Sequence, residues 1–259
     1  MASRGPVKSA DRALAAVELV AERGSMTFAE VLEALQLPRS SGHGLLTTLV
    51  ESGWLELQGE PRRYRLGLRS WQVGQRYDGH QLLLDTALPF LDRLVAETGE
   101  TAQLARLDGI ENVYIGIRLS PHPMRMASSV GMRLHAHATG IGKALLSVLD
   151  PDEARRRLSA VVLPRLTPRT VTDVDELLRV LERARLTGFA VDDEEFVDGC
   201  RCVAVPLSTE AETGIASAVS VTMPTSRTGE RWPHGLYAPL RAAAQGVREQ
   251  LGLAGSLSP

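Results

Sequence analysis

The chain has 259 residues, of which 44% are hydrophobic and 23% are charged, and its formal net charge is −2. This length is sufficient for two domains of ordinary size, each with a hydrophobic core. The near-neutral charge argues against a protein that coats nucleic acid along its whole surface, but it does not exclude one small DNA-binding module.

Nothing in the sequence directs the chain into or across a membrane. It has no run of about 18 apolar residues, and its N-terminus has no apolar signal core. Its two cysteines, Cys200 and Cys202, are too close in sequence for an ordinary structural disulfide, which fits a reducing compartment. We therefore expect a cytoplasmic protein with reduced thiols.

Three short amphipathic helices are predicted in the first part of the chain. Apolar residues recur at three- and four-residue spacing over residues 10–22, which is typical of a helix with one buried face. Thr27 stands three residues before Glu30, the spacing of a capping box, and marks the start of a second helix. A third helix is expected between the breaks at Pro38 and Gly53.

The segment WLELQGEPRRYRLGL, residues 54–68, predicts two strands joined by a turn. Apolar and polar residues alternate on both sides of QGEP, and arginines lie near the tip. Three helices followed by a basic hairpin are typical of a winged helix-turn-helix, in which the third helix enters the major groove and the hairpin contacts phosphates or the minor groove. The alternative is a small helical domain that makes only protein contacts.

Polar residues on and around the third helix are the candidates for contact with DNA. They are Thr27, Arg39, Ser40, Ser41, His43, Thr47, Arg62, Arg63 and Arg65. The same helix contains Gly42 and Gly44, and each interior helical glycine costs about 1 kcal/mol relative to alanine. One hypothesis is that glycine lets the helix backbone approach DNA closely. The other is that the helix is a poorly discriminating reader of sequence.

A larger α+β domain is predicted after a short connector. Residues 69–80 are interpreted as a linking helix, which places a DNA-binding domain at residues 1–68 and a second domain at residues 81–259. Adjacent strand patterns without strict βαβ alternation favour a mainly antiparallel sheet. The predicted elements are a helix over 82–100 interrupted at Pro89, two strands over 101–119 that turn at Asp108 and Gly109, strands near 124–130, 200–208 and 214–222, and helices near 138–149, 173–187 and 234–251.

Two stretches of the second domain contain residue types that can bind a ligand. In LHAHATGIGKALL, residues 134–146, glycines precede a helix whose first N–H groups can meet an anion. In GFAVDDEEFVDGCRCVAVPL, residues 188–207, four consecutive acidic residues need partners if they are buried. The alternative is that the glycines only allow tight packing and that the acidic residues form a solvated loop.

No metal, cofactor or catalytic site is predicted. The first stretch lacks the spacing of a P-loop, and His135, His137, the acidic residues and the cysteines form no close-spaced ligand signature. A Gly-x-Ser-x-Gly nucleophile elbow, a His-Glu-x-x-His motif and a strand-linked dinucleotide fingerprint are also missing. We therefore expect a protein that is not an enzyme.

The stretch VKSADRALAAVELVAERGSMTFAEVLEALQLPRSSGHGLLTTLVESGWLE, followed by YRLGL, resembles the DNA-binding half of IclR-family bacterial transcriptional regulators. In that family the third helix usually opens with a Pro-Lys-Ser-Thr-Val-His-Arg-like sequence, and Pro38, Ser40 and His43 match it. Gly44 stands where the family usually has arginine, so a side chain able to contact guanine or phosphate is missing.

The second domain resembles the effector domain of the same family through SPHPMRMASSVG, LPRLTPRTVTDVDEL and the two stretches above, so the resemblance spans about residues 7–252. It implies a GAF-like domain that binds a small carboxylate or aromatic metabolite. The implied effector-binding residues are Gly140, Ile141, Asp192, Cys202, Ser220 and Thr222. Backbone N–H groups and hydroxyls in this set can donate to a carboxylate, and the alternative for each residue is core packing or strand capping.

The function implied by the resemblance is ligand-responsive regulation of transcription, and we expect a repressor. Its partners would be double-stranded operator DNA, a small-molecule effector and further copies of the chain in a homodimer or tetramer. The effector would change DNA affinity by binding the DNA-competent and incompetent states unequally. The alternative is a small-molecule-binding protein or enzyme whose N-terminal helices serve only assembly.

Overall fold

The computed structural model describes residues 7–253, and the chain divides into two compact units, Met1–Gly79 and His80–Pro259. Each unit has a hydrophobic core of its own. No helix within residues 7–253 is long and apolar enough to cross a membrane.

The first unit is a winged helix-turn-helix. Its elements are α1 (Lys8–Arg23), α2 (Phe28–Ala34), α3 (Arg39–Glu51), β1 (Leu55–Gln58), β2 (Arg63–Leu66) and α4 (Leu68–Gly74). Thr27 and Glu30 form the expected capping box at the start of α2. Strands β1 and β2 pair antiparallel, and Met26 pairs with Tyr64 of β2, which attaches the hairpin to the connection between α1 and α2.

The core of the first unit lies between the helices and the hairpin. Val20 of α1, Val31 of α2, Leu46 and Leu49 of α3 and Leu55 of β1 are buried together. Because the buried residues Ala16 and Val20 of α1 are four apart and Leu46 and Leu49 of α3 are three apart, each helix buries one face and leaves the other exposed. The outward face of α3 is therefore free of core packing.

The second unit is built on a six-stranded sheet. Its elements are α5 (Gln81–Thr98), β3 (Thr101–Asp108), β4 (Glu111–Arg118), β5 (Arg133–His135), α6 (Gly140–Ser147), α7 (Pro151–Ser159), α8 (Val174–Thr187), β6 (Ala190–Asp193), β7 (Cys200–Ser208), α9 (Glu210–Thr213), β8 (Ser217–Pro224) and α10 (His234–Gln250). The strand order is β5-β4-β3-β8-β7-β6, and every pair is antiparallel. The predicted α+β class with a mainly antiparallel sheet is confirmed.

The two faces of this sheet carry separate cores. Val203 of β7 and Val221 of β8 lie in the core formed with α5 and α10, whereas Ala204 and Ala218 lie in the core formed with α6 and α8. Since successive side chains of a strand point to opposite faces, Cys202, Ser220 and the other residues in phase with Ala204 and Ala218 face α6. Every residue of α6 is buried.

Two of the predicted elements of the second unit are wrong. Residues 124–130 form neither helix nor strand, and the edge strand is β5 instead. The apolar side chains of Met124 and Val130 are largely exposed, and the strand that pairs with β4 is formed by Arg133–His135. Helix α5 continues through Pro89, because packing of the flanking residues Ala87 and Leu91 offsets the hydrogen bond that proline cannot make.

Candidate functional site

The exposed face of α3 carries the residues predicted to read DNA. Arg39, Ser40, Ser41, His43 and Thr47 are all exposed. Because Leu46 and Leu49 on the opposite side of the helix are buried, these five polar residues form one outward surface.

Phe28 of α2 supports the start of this surface and was missed in the sequence analysis. The Arg39 guanidinium lies 5.9 Å from the centroid of the Phe28 ring, and the ring of His43 meets Phe28 edge to face at 6.3 Å. The Nδ1 atom of His43 lies 3.5 Å from Oγ1 of Thr47, one helical turn further. The available signal in the sequence was an aromatic residue directly after the N-cap of α2. In the structure the Phe28 ring is only partly buried.

Thr27 and Arg63 are placed differently from the rest of the predicted set. The Thr27 hydroxyl accepts a hydrogen bond from the backbone N–H of Glu30 at 3.3 Å. Arg63 donates to Oγ and the backbone carbonyl of Ser25, at 3.1 and 3.0 Å, and to Oε2 of Glu30 at 3.1 Å. Arg63 therefore ties the hairpin to α2, whereas Arg62 is exposed near the hairpin tip.

Arg65 lies on β2 and is also exposed.

The two glycines of α3 occupy different environments. Gly42 is buried, and a Cβ atom there would lie 2.4 Å from Cδ1 of Leu32 on α2. Gly44 is exposed, and a Cβ atom there would have no neighbour within 4 Å. The hypothesis of close approach to DNA is therefore wrong for Gly42, which is required by the packing of α2 on α3, and remains a hypothesis for Gly44.

The second unit brings all six predicted effector-binding residues to the α6 side of its sheet. Asp192 of β6 is paired with Cys202 of β7, which is paired with Thr222 of β8. Ser220 lies two residues from Thr222 on β8 and therefore shares its face. These polar residues form a row on a buried face of the sheet.

The N-terminus of α6 lies over this row. Thr139 caps the helix and accepts from the backbone N–H of Gly142 at 3.1 Å. A Cβ atom on Gly140 would lie 3.0 Å from Sγ of Cys202 and 3.2 Å from the backbone nitrogen of Asp192. Glycine thus allows the helix to approach the strands closely, and the first N–H groups of α6 lie beside the polar row.

The Cys202 thiol is neutral at physiological pH. Burial, with a smaller contribution from the nearby Asp192, raises the pKa of Cys202 to about 11, against the lowering effect of hydrogen bonds with Thr222, Ser220 and the backbone of Ile141. Both Cys200 and Cys202 are free and buried. A buried neutral thiol packs as a small, soft group and is a poor nucleophile.

Asp192 is the group of the row that titrates near neutral pH. Burial raises the pKa of Asp192 to about 7, although Lys143 and two backbone hydrogen bonds lower it. Its Oδ1 atom accepts from the backbone N–H groups of Glu195 and Phe196, at 2.7 and 3.3 Å. In its protonated form the carboxyl is able to donate a hydrogen bond to a ligand.

The other acidic residues of the 192–195 run each have a cationic partner. Asp193 and Glu194 bind Arg169 at 3.1 and 3.4 Å. Glu195 forms an ion pair with Lys143 of α6, whose side chain is almost fully buried. These three pairs, together with the backbone hydrogen bonds of Asp192, provide a partner for each of the four consecutive acids. Lys143 is a structural residue of the site that sequence reasoning did not assign.

Gln103 of β3 is a further residue of the site that the sequence analysis missed. It is fully buried and paired with Ser220, and its Oε1 atom accepts from the hydroxyls of Ser220 and Thr222 at 2.9 and 3.2 Å. Tyr114 of β4 is also buried on this face, and burial raises its pKa. The only signal in the sequence was a glutamine inside the apolar strand TAQLARL.

Within the described residues no group of three or more His, Cys, Asp and Glu side chains is arranged to hold a metal ion. The donors and acceptors of the site are backbone N–H groups, hydroxyls, an amide and one titrating carboxyl. This set can bind and orient a small polar molecule.

Comparison with known proteins identifies both units. Residues 9–59 match the IclR helix-turn-helix domain, and residues 75–249 match the C-terminal domain of bacterial IclR transcriptional regulators. The transcriptional repressor AllR of Salmonella typhi is 34% identical over 230 residues, which cover 89% of this chain and 84% of AllR. The transcriptional regulator BhcR of Paracoccus denitrificans is 33% identical over 226 residues, covering 87% of this chain and 81% of BhcR.

A solved structure with the same fold contains a ligand. It is an IclR homologue from Microbacterium hydrocarbonoxydans complexed with 4-hydroxybenzoate, with a TM-score of 0.77 and 28% sequence identity, covering 93% of this chain and 100% of the homologue. The relatives are regulators and repressors of transcription and not enzymes. With both domains matched over most of its length, this chain belongs to the IclR family of bacterial transcriptional regulators.

Proposed function

We propose that this protein is a ligand-responsive transcriptional repressor, whose first unit binds operator DNA and whose second unit binds a small carboxylate or aromatic metabolite. The observation that carries the proposal is the convergence of Gly140, Ile141, Asp192, Cys202, Ser220 and Thr222 at the N-terminus of α6. The polar side chains among them lie together on a buried face of the sheet, beside the first N–H groups of α6.

The chemistry of the second unit favours a carboxylate. The N-terminus of a helix carries a partial positive charge and unpaired N–H groups, both of which attract an anion. Asp192 with a pKa of about 7 is partly protonated at neutral pH, so it does not repel an anion as a fully ionised carboxylate would. The 4-hydroxybenzoate complex of the Microbacterium homologue supports an aromatic carboxylate as one candidate.

The DNA-binding half of the proposal rests on the outward surface of α3. Ser40, Ser41, His43 and Thr47 offer hydrogen-bonding groups for base edges or phosphates, and Arg62 and Arg65 offer charges for phosphates. Arg39 is held over Phe28 at the start of the helix. Thr27 and Arg63 would contribute by fixing α2 and the hairpin.

Regulation would proceed through a shift of the equilibrium between a DNA-competent and a DNA-incompetent arrangement of the protein. One winged helix gives limited affinity for DNA, so we propose a homodimer or tetramer that places two α3 helices on paired half-sites of the operator. The protein would act in the cytoplasm, where the operator DNA lies. The effector would release the operator by binding the DNA-incompetent arrangement more tightly. As repression and release need no chemical step, this function requires no cofactor.

The test is binding of the full chain to fluorescent duplexes that tile the upstream region of its own gene, over a salt series. Benzoate, 4-hydroxybenzoate, pyruvate and succinate are added separately. We expect one preferred duplex, affinity that falls steeply with salt, and weakening by at least one of the carboxylates. Equally weak binding to all duplexes, with no response to salt, would contradict the DNA-binding half, and binding unaffected by every carboxylate would contradict the effector half.

A further inference from the structure

The side-chain amide of Gln103 accepts hydrogen bonds through its oxygen but makes none through its nitrogen. Oε1 of Gln103 accepts from Ser220 and Thr222, as described above. Nε2 is buried and has no hydrogen-bond partner among the described residues. A buried polar group that makes no hydrogen bond destabilises a folded protein, so such groups are rare and call for an explanation.

The two hydroxyls hold Gln103 by its oxygen. Each hydroxyl has one proton, and a proton donated to Gln103 is not available to a ligand. Ser220 and Thr222 also lie beside the buried thiol of Cys202. The two hydroxyls engage the amide oxygen and leave the amide N–H groups as the free end of the Gln103 side chain.

This free end belongs to the effector site. The antiparallel register places Gln103 opposite Ser220, on the face that also carries Cys202 and Asp192. Its amide reaches toward β8, because both of its hydrogen-bonding partners are on that strand. An amide with oxygen and nitrogen exchanged would present only an acceptor, so the contact with a carboxylate requires the orientation in which Oε1 accepts from Ser220 and Thr222.

We propose that Gln103 is a specificity-determining residue of the effector site, whose Nε2 donates a hydrogen bond to the carboxylate of the effector. Ser220 and Thr222 are positioning residues that fix the amide. This inference rests on the proposed function and assigns a direct contact to a residue outside the six predicted ones. The carboxylate then has donors on two sides, the N-terminus of α6 and the amide of β3.

The first experiment compares wild type with Gln103→Met by calorimetric titration with the same four carboxylates. Methionine has a similar length but has neither the donor nor the acceptor. Hydrogen bonds to charged groups contribute enough that their loss weakens binding about ten- to a hundredfold. Gln250→Met, at an exposed position of α10, is the matched control and should bind as wild type does.

A second variant separates the donor role from a structural one. Gln103→Glu keeps an oxygen for Ser220 and Thr222 and so preserves the local fold, but it donates only while its carboxyl is protonated. Its affinity relative to wild type should therefore fall as the pH rises and the introduced carboxyl loses its proton. Thermal unfolding and DNA binding without ligand confirm that each variant is folded.

Each outcome decides the inference. Equal carboxylate affinity of wild type and Gln103→Met would overturn it, and so would a Gln103→Glu affinity that equals wild type at every pH, since that would indicate a purely structural acceptor. If wild type binds none of the four carboxylates, the effector class under Proposed function fails and this contact fails with it. If wild type binds a carboxylate and Gln103→Met binds it with the same affinity, the proposed function stands and the Gln103 contact alone is wrong.

Discussion

Asp192 is the residue of the candidate effector site whose ionisation is shifted into the neutral pH range by burial. Its carboxyl is buried beside Cys202, and burial outweighs the nearby Lys143, so the pKa rises from 3.8 to about 7. A carboxyl with a raised pKa binds its proton more tightly in the folded than in the unfolded chain. Its contribution to stability is therefore most favourable below about pH 4 and is lost as the pH rises to about 7.

The variant Asp192→Asn should remove this pH dependence. Asparagine is neutral at every pH and keeps an oxygen for the backbone N–H groups of Glu195 and Phe196. Relative to wild type, the free energy of unfolding should be unchanged near pH 4 and higher at pH 8 by up to ~4 kcal/mol. Urea unfolding at several pH values measures the difference, and a difference that does not vary with pH would refute the assigned shift.

The two glycines of α3 should respond differently to the same substitution. Gly44→Ala should raise the free energy of unfolding by up to ~1 kcal/mol, because alanine favours the helix and meets no neighbour. At Gly42 the added methyl meets Leu32, and overpacking of this kind costs about 1–3 kcal/mol. Thermal unfolding of the two variants is compared directly, and an equal effect at both positions would contradict the different packing.

At the scale of elements, the hairpin and α3 each divide into a side that holds the first unit together and a side that remains exposed. Arg63 bonds to Ser25 and Glu30, whereas its neighbour Arg62 is exposed. A sequence run of arginines predicts positive charge at the hairpin, but only the paired register of β1 and β2 decides which guanidinium is used internally.

Replacement of Arg62 by alanine should affect DNA binding, whereas replacement of Arg63 by alanine should affect stability. Arg62→Ala should leave the melting temperature unchanged, weaken binding to all duplexes and reduce the slope of log affinity against log salt by about 1. Arg63→Ala should lower the melting temperature, because the hairpin loses its hydrogen bonds to the start of α2. If Arg63→Ala melts as wild type does, its structural role is wrong.

At the scale of the whole molecule, the two proposed binding sites lie on different compact units. Coupling between them is a free energy and must be reciprocal. If a carboxylate weakens operator affinity by a certain factor, operator DNA must weaken carboxylate affinity by the same factor, which for allosteric proteins is commonly about 5- to 150-fold. Titration of effector with and without saturating operator measures this, and unequal factors would show that the two effects do not share one equilibrium.

The sequence by itself determined the elements whose signals are local. Apolar spacing, the Thr27–Glu30 capping box and the alternating hairpin pattern predicted the first unit, and runs of β-branched residues predicted β7 and β8. Helix α7 was missed because its exposed residues are mainly charged, although Asp150 and Pro151 formed a recognisable start signal.

Only the tertiary structure decided what lies against each predicted face. Residue periodicity tells which side of an element is apolar, but it does not tell which neighbour meets it. Contact with α2 thus made Gly42 a packing residue and left Gly44 exposed. Antiparallel register likewise brought Gln103 to Ser220, 117 positions away in sequence, and no local pattern encodes that distance.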